Sequence, residues 1–190
     1  KYGRALVRAC AEAGTDYVDL TGEVLFARDS IDANDATARR TGARIVHSCG
    51  FDSIPSDLGV HVLYERIRAD DAGELTDTTL VVTRLKGGLS GGTIDSMRGQ
   101  IDEVRRDPEA RALSADPFAL SPDRAAEPDL GRQEDMVSLP GPAVHPSLRG
   151  SLAPFVMASY NTRVVRRSHA LRDWAYGRRF RYRETMSTGT

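Results

Sequence analysis

Apolar and polar residues in the first part of the chain alternate between helical and strand-like patterns. Helical patterns cover residues 1–13, 30–41 and roughly 55–68, where apolar side chains recur every three or four positions. Between them lie short apolar runs at 17–20 and 43–47, which are typical of buried strands. Because the connections are short, this order predicts parallel strands that are joined by right-handed crossovers.

The most informative stretch runs from His47 to Asp57 and reads HSCGFDSIPSD. It passes through Gly50, where the backbone can approach a ligand closely, and continues into a helix with Pro55 in its first turn. Ser53 is the predicted N-cap of that helix. In an open parallel sheet such a connection lies at the carboxyl ends of the strands, where ligands bind. An ordinary strand-to-helix turn explains the same residues.

The pattern changes after residue 72, where we place a domain boundary. Residues 108–154 contain all but one of the prolines, which predicts a long irregular region with at most short helices. The remaining patterns predict a strand at 78–85, a helix from Ile94 to about Arg106, a helical segment at 154–171 and a final strand at 180–184.

The composition is that of a globular protein, with 40% hydrophobic residues, 28% charged residues and a net charge of −1. This charge gives no reason to expect nucleic acid as a partner. No apolar run approaches the roughly 20 residues of a membrane span. Residues 1–13 have the charged, amphipathic pattern of a helix and do not resemble a secretory signal. Cys10 and Cys49 form no disulfide framework, so we expect a cytoplasmic protein. The chain begins without methionine, and we expect it to be an internal piece of a longer protein.

These patterns predict the α/β class. Residues 1–72 would form the C-terminal half of a doubly wound Rossmann domain, and residues 73–190 would form part of an α+β substrate or dimerisation domain. No G-x-G-x-x-G motif is present on a first strand-to-helix turn, so the phosphate-binding half would lie upstream of Lys1. We therefore expect this chain alone to bind NAD(P)H poorly and to be inactive.

Several segments resemble the saccharopine dehydrogenase-like oxidoreductases, and within them the actinobacterial branch of trans-acting enoyl reductases. These segments are Tyr2-Gly3, Val7 to Cys10, Tyr17 to Glu23, Cys49 to Gly59 and Ser90 to Thr93. The resemblance implies a Rossmann domain with an inserted α+β domain and NAD or NADP as the cofactor. It also implies hydride transfer to an enoyl or carbonyl group of a lipid-type or acyl substrate.

Residues at the ends of the two predicted strands are the candidate cofactor-binding residues: Asp19, Thr21, Gly22, Gly50, Phe51 and Asp52. A carboxylate after the first strand can accept a hydrogen bond from a ribose hydroxyl, and Phe51 can form an apolar wall against the nicotinamide. Two alternatives stay open. The segment from Asp19 to Glu23 is also typical of a helix-capping turn, and Phe51 can lie in the core while Asp52 caps the next helix.

No catalytic residue and no metal site is predicted. We interpret Cys49 as a small buried hydrophobe, because nothing in the sequence lowers the pKa of its thiol. The histidines, cysteines and carboxylates do not have the spacing of metal ligands.

A serine hydrolase is an alternative function. Ser90 occupies the central position of a G-x-S-x-G motif, and Asp102 and either His145 or His169 follow in hydrolase order. A glycine-rich turn in which Thr93 caps a helix explains the same residues. A non-catalytic Rossmann-like scaffold is the other alternative.

A run of arginines near the end of the chain has only Asp173 as an acidic neighbour: Arg163, Arg166, Arg167, Arg172, Arg178, Arg179, Arg181 and Arg183. Such a run is usually a solvated face. It is also typical of an electrostatic dock for a phosphopantetheine carrier, an acyl-CoA or a membrane surface. The expected partner is therefore a small-molecule or acyl substrate, free or on a carrier, and peripheral membrane contact and a homo-oligomer stay open.

Overall fold

A computed structural model describes residues 2–85 and 91–188, with the backbone alone for residues 91–97. The helices are α1 (Gly3–Ala13), α2 (Val24–Thr41), α3 (Ile54–Ala69), α4 (Gly91–Arg106), α5 (Pro108–Ala115), α6 (Gly141–Val144) and α7 (Ala158–Leu171). The strands are β1 (Tyr17–Val18), β2 (Ile45–Val46), β3 (Asp77–Val82), β4 (Leu139–Pro140), β5 (Ser151–Pro154) and β6 (Arg181–Ser187). The fold is mixed α/β.

Strands β1 and β2 pair in parallel, with Tyr17 opposite Ile45. Helix α1 leads into β1 through Gly14, and α2 leads into β2 through Gly42; both glycines have positive φ angles, 68° and 81°. This left-handed conformation ends a helix at low cost when no Cβ is present. The predicted parallel pair is confirmed, so the residues that follow β1 and β2 share one edge of the sheet.

Helix α2 begins at Val24, before the predicted start at residue 30. Its first turn contains Val24 and Ala27, which are buried against Ala119, Leu120 and Tyr160 from a distant part of the chain. The prediction missed this turn because the apolar partners that stabilise it lie far away in the sequence.

The second sheet has the order β3-β6-β5-β4. Strands β3 and β6 are parallel, with Thr79 opposite Arg183, whereas β5 is antiparallel to both β6 and β4. The predicted final strand is therefore confirmed as β6, and it lies between β3 and β5.

The proline-rich region contains only short helices, as the prediction allowed, but it also contributes β4 and β5. These strands were not predicted because Pro140 and Pro154 occur in them, and proline cannot donate to a strand ladder. Both prolines are the last residues of their strands, and β4 lies at the edge of the sheet. Because residues 151–154 belong to β5, helix α7 starts at Ala158 rather than at residue 154.

The largest apolar cluster crosses the predicted domain boundary. It joins Val60 of α3 to Val165 of α7, and it includes Leu75, Tyr176, Phe180 and Tyr182. The boundary near residue 72 stays a prediction, but apolar contacts continue across it. Among the described residues, no helix is long and apolar enough to cross a membrane.

The arginine run is not a single exposed surface. Arg163 and Arg166 are each only 4% exposed, and both donate to the carboxylate of Asp135 at 2.8 Å. The solvated-face and docking interpretations are therefore wrong for these two residues. This pairing could not be predicted from the arginine run, because Asp135 lies outside it in the proline-rich region.

We expect Asp135→Ala to lower the free energy of unfolding by about 3–5 kcal/mol, because it leaves two buried guanidinium groups without their counter-charge. The measurement is chemical denaturation of the whole protein. Asp29→Ala is the matched control, since Asp29 pairs with Arg4 at an exposed position and should cost less than about 1 kcal/mol. Equal losses in the two variants would contradict this account of the buried cluster.

Candidate functional site

The residues that follow β1 and β2 form one structural unit at the carboxyl edge of the strand pair. The backbone N–H of Cys49 donates to the carbonyl of Asp19 at 2.7 Å, which joins the two segments just beyond the strands. We call this surface the shelf and define it as residues 20–22 and 49–52. The structure thus brings together the two groups of predicted cofactor-binding residues, with Asp19 directly beneath them.

Asp19 is the polar centre beneath the shelf. Its carboxylate accepts hydrogen bonds from the backbone N–H groups of Thr21 and Ser48 at 3.0 and 3.1 Å, and its other oxygen lies 2.6 Å from Nδ1 of His47. Burial alone would raise the pKa of Asp19, but the hydrogen bonds from His47, Thr21 and Ser48 hold that pKa below its ordinary value. Protein groups already occupy this carboxylate, which favours the capping-turn interpretation over a ribose contact.

Thr21 and Gly22 continue from this turn towards α2. The Thr21 hydroxyl accepts a hydrogen bond from the backbone N–H of Glu23 at 3.2 Å. A Cβ on Gly22 would lie 3.3 Å from the terminal methyl of Met157. The absence of a side chain therefore lets the residue preceding α7 approach the backbone of the shelf closely.

Phe51 projects from the shelf with 88% of its surface exposed, so the alternative that placed it in the core is wrong. Leu20 on the neighbouring segment is also exposed, at 72%. Gly50 beneath them is buried, and a Cβ there would collide with the carboxylate of Asp52. Ser53 takes the N-cap position of α3 as predicted, but its hydroxyl makes no capping hydrogen bond.

His47 connects Asp19 to helix α2, and sequence reasoning did not assign it a role. Its Nε2 lies 2.9 Å from the hydroxyl of Ser30, which completes an Asp–His–Ser chain of hydrogen bonds. Ser30 is 3% exposed and lies inside α2, where its backbone N–H belongs to the helix and cannot bind an oxyanion. We therefore interpret the chain of hydrogen bonds as a support that fixes α2 against the strand ends.

Helix α7 supplies Tyr160 and Asn161, two further residues that sequence reasoning missed. The Tyr160 hydroxyl is hydrogen-bonded to that of Ser48, and burial raises the pKa of Tyr160. The Asn161 amide donates to the carbonyl of Asp52 at 2.8 Å, while its oxygen accepts from the hydroxyl of Ser53 at 2.9 Å. The available signal was the position of Asn161, which lies four residues after Met157 and four before Val165, on the apolar stripe of this helix.

Glu184 of β6 completes this buried network. It is wholly buried, accepts from the Asn161 amide at 3.2 Å and accepts from the Tyr182 hydroxyl at 2.8 Å. Burial raises the pKa of Glu184, and hydrogen bonds from Ser56, Tyr182 and Asn161 only partly oppose this effect. The network connects the shelf to β6, one of the two inner strands of the second sheet.

The thiol of Cys49 is not activated in this environment. Burial, with a smaller contribution from Asp19, raises the pKa of Cys49 above its ordinary value. This agrees with the expectation that nothing lowers the pKa of this thiol, but Cys49 is only partly buried, so the prediction of a buried side chain is not confirmed. Within the described parts of the chain, no group of His, Cys, Asp and Glu side chains is placed to hold a metal ion.

The hydrolase motif receives little support from its histidines. Ser90 itself lies outside the described residues. His169 is buried, its Nδ1 accepts the backbone N–H of Tyr176, and burial together with Arg178 lowers its pKa to about 4. Because Nδ1 is already an acceptor, a carboxylate cannot orient His169 in the way that a triad requires. His145 is exposed and its Nδ1 bonds to Ser147.

Similar proteins are found among the mycobacteria. The chain is 60% identical over its whole length to a Mycobacterium tuberculosis protein that is provisionally named a trans-acting enoyl reductase. It is 53% identical to the trans-acting enoyl reductase of Mycobacterium bovis BCG and 52% identical to that of Mycobacterium ulcerans. In each case the alignment covers 46% of the relative. The chain thus spans about half the length of the curated relatives that it matches.

No protein-family model matches the chain, and no solved structure matches it significantly. The homologues support the resemblance to the enoyl reductase branch. The wider relationship to saccharopine dehydrogenase-like proteins depends on the sequence motifs alone.

We expect Glu184→Gln to become increasingly stable relative to the parent as the pH rises above 4.5. Because the pKa of Glu184 is raised on folding, the folded state holds a proton that the unfolded state releases, and stability falls as the pH rises towards the folded pKa. A glutamine carries no charge and avoids this loss. The measurement is denaturation of both proteins between pH 4 and pH 8, with the exposed Glu103→Gln as the control. A difference between Glu184→Gln and the parent that does not change with pH would contradict the expectation.

Proposed function

We propose that this chain is part of an NAD(P)-dependent enoyl reductase that acts on an acyl or lipid-type substrate, free or on a carrier. One observation carries the proposal: the whole chain is 53–60% identical to proteins whose names include trans-acting enoyl reductase. The geometry agrees with this role, because the shelf lies at the carboxyl ends of parallel strands, where nucleotides bind in open α/β sheets.

The shelf suits the nicotinamide end of the cofactor in part. Phe51 and Leu20 offer exposed apolar surface for a flat ring. Gly22 and Gly50 support this surface from within, because Met157 and the Asp52 carboxylate lie where their side chains would be. The Asp19 carboxylate already accepts three hydrogen bonds from the protein, which leaves it about one acceptor site for a ribose hydroxyl. We therefore assign contact with the cofactor to Phe51, and a local structural role to Asp19.

The bound nicotinamide would supply the hydride. The residues of this chain would orient its ring and keep water from one side of it. The phosphate-binding residues and the proton donor are not assigned to residues of this chain. The wider saccharopine dehydrogenase-like membership, with a Rossmann domain over residues 1–72, forms part of the same proposal.

We expect Phe51→Ala to weaken NADPH binding by about five- to thirty-fold, because it removes an aromatic face worth roughly 1–2 kcal/mol. Binding is measured by calorimetry on the whole protein, with NADH in parallel. Val62→Ala is the matched control: Val62 is an exposed apolar residue of α3, away from the shelf. If Phe51→Ala binds both nicotinamides as tightly as the parent, the cofactor does not lie on the shelf.

We expect Ser90→Ala to retain most of the nicotinamide-dependent activity, and Asp52→Ala to weaken cofactor binding or hydride transfer while the fold survives. Asp52 belongs to the shelf, whereas Ser90 would be essential only in a hydrolase, where its loss costs several orders of magnitude in rate. The assays are turnover of NADPH with an enoyl thioester and hydrolysis of a p-nitrophenyl ester. Labelling of Ser90 by a serine-directed probe, with no NADPH oxidation by the parent, would support the hydrolase alternative instead.

A further inference from the structure

Two consecutive residues of α7 hold the loop that carries Phe51. The Tyr160 hydroxyl bonds to the Ser48 hydroxyl on the amino side of Phe51. The Asn161 amide bonds to the Asp52 carbonyl on its carboxyl side, at 2.8 Å. The short segment from Cys49 to Phe51 is thus fixed at both flanks by one helix turn.

Ser48, to which Tyr160 bonds, has an unfavourable backbone conformation. Ser48 has a φ angle of 65°, in the left-handed region that residues with a Cβ seldom adopt. Its N–H donates to the Asp19 carboxylate at 3.1 Å, and its hydroxyl bonds to Tyr160. Such a conformation persists only where the surroundings determine it, and here both the N–H and the hydroxyl of Ser48 are bound.

Burial restricts the orientation of the Asn161 side chain. Asn161 is wholly buried, and its amide nitrogen also lies within hydrogen-bond distance of Ser56 and Glu184, at 3.1 and 3.2 Å. Its oxygen accepts from Ser53. An unsatisfied buried amide is costly, so the side chain is confined to an orientation that also satisfies the carbonyl of Asp52.

We propose that Tyr160 and Asn161 are positioning residues that present Phe51 to the nicotinamide in a single orientation. This inference depends on the proposed function. Neither residue needs to touch the cofactor, since both are buried beneath the shelf and act through Ser48 and Asp52. Because α7 also packs on β6, the second sheet would contribute to cofactor affinity without contacting it.

The test compares Tyr160→Phe, Asn161→Ala and the parent, all as whole protein. Hydrogen exchange of the amides of residues 49–56 reports the order of the loop without cofactor, and calorimetry gives the Kd for NADPH and NADH. Val165→Ala is the control, since Val165 is a wholly buried residue of α7 within an apolar cluster that contains no shelf residue. We expect faster exchange and at least fivefold weaker binding in the first two variants, and neither change in the control.

Ser48 provides a second pair of variants that does not alter α7. Ser48→Ala loses the hydroxyl and keeps the unfavourable φ, whereas Ser48→Gly loses the hydroxyl but tolerates that φ. We expect Ser48→Ala to weaken binding more than Ser48→Gly does. This pair keeps the test decisive if Asn161→Ala does not fold.

The results of these experiments distinguish a failure of the proposed function from a failure of the positioning role of Tyr160 and Asn161. If the parent binds neither NADH nor NADPH, the proposed function fails, and the inference fails with it. If the parent binds a nicotinamide while Tyr160→Phe and Asn161→Ala bind it equally well with unchanged exchange, the inference alone is overturned. A rise in KM for the nicotinamide at constant kcat in Tyr160→Phe supports positioning of the bound cofactor.

Discussion

The buried amide of Asn161 imposes the constraint on which the arrangement around the shelf depends. It has no access to water, so each of its polar atoms must find a protein partner. Those partners come from the shelf loop, from the first turn of α3 and from the inner strand β6. One side chain of α7 therefore links the shelf loop, α3 and β6, and replacing it would leave several buried groups unsatisfied at once.

Helix α7 also carries buried charged residues that pair with the second half of the chain. One face carries Arg163 and Arg166, whose charges are matched by Asp135 at 2.8 Å. Another contributes Val165 to the apolar cluster that spans α3 and β6. Buried ion pairs contribute little net stability but are costly to break, so this cluster acts mainly to fix the proline-rich region against the helix.

The local chemistry of the shelf limits how it can recognise a ligand. Asp19, the most obvious polar candidate, is engaged by Thr21, Ser48 and His47 and has a lowered pKa. Under the proposed function, recognition would therefore depend mainly on the exposed ring of Phe51. A surface of this kind suits the flat, weakly polar end of a nucleotide better than a charged group. The orientation of the shelf loop is fixed by the hydrogen bonds from Tyr160 and Asn161 beneath it rather than by the side chains of the shelf itself.

The sequence by itself determined the local elements whose signals are short-range. Helical periodicity located α1 and α3, a terminal glycine marked the end of α1, and apolar runs located β1 and β2 together with their parallel pairing. The motif around Gly50 predicted the shelf, because strand, turn and helix are neighbours along the chain. Tertiary structure decided what depends on distant partners: the first turn of α2, the strands β4 and β5, the burial of Arg163 and Arg166, and the contacts of Tyr160 and Asn161 with the shelf loop. No local pattern encodes those contacts, since the free energy that selects them comes from satisfying buried polar groups and packing apolar ones across more than 100 positions of the sequence.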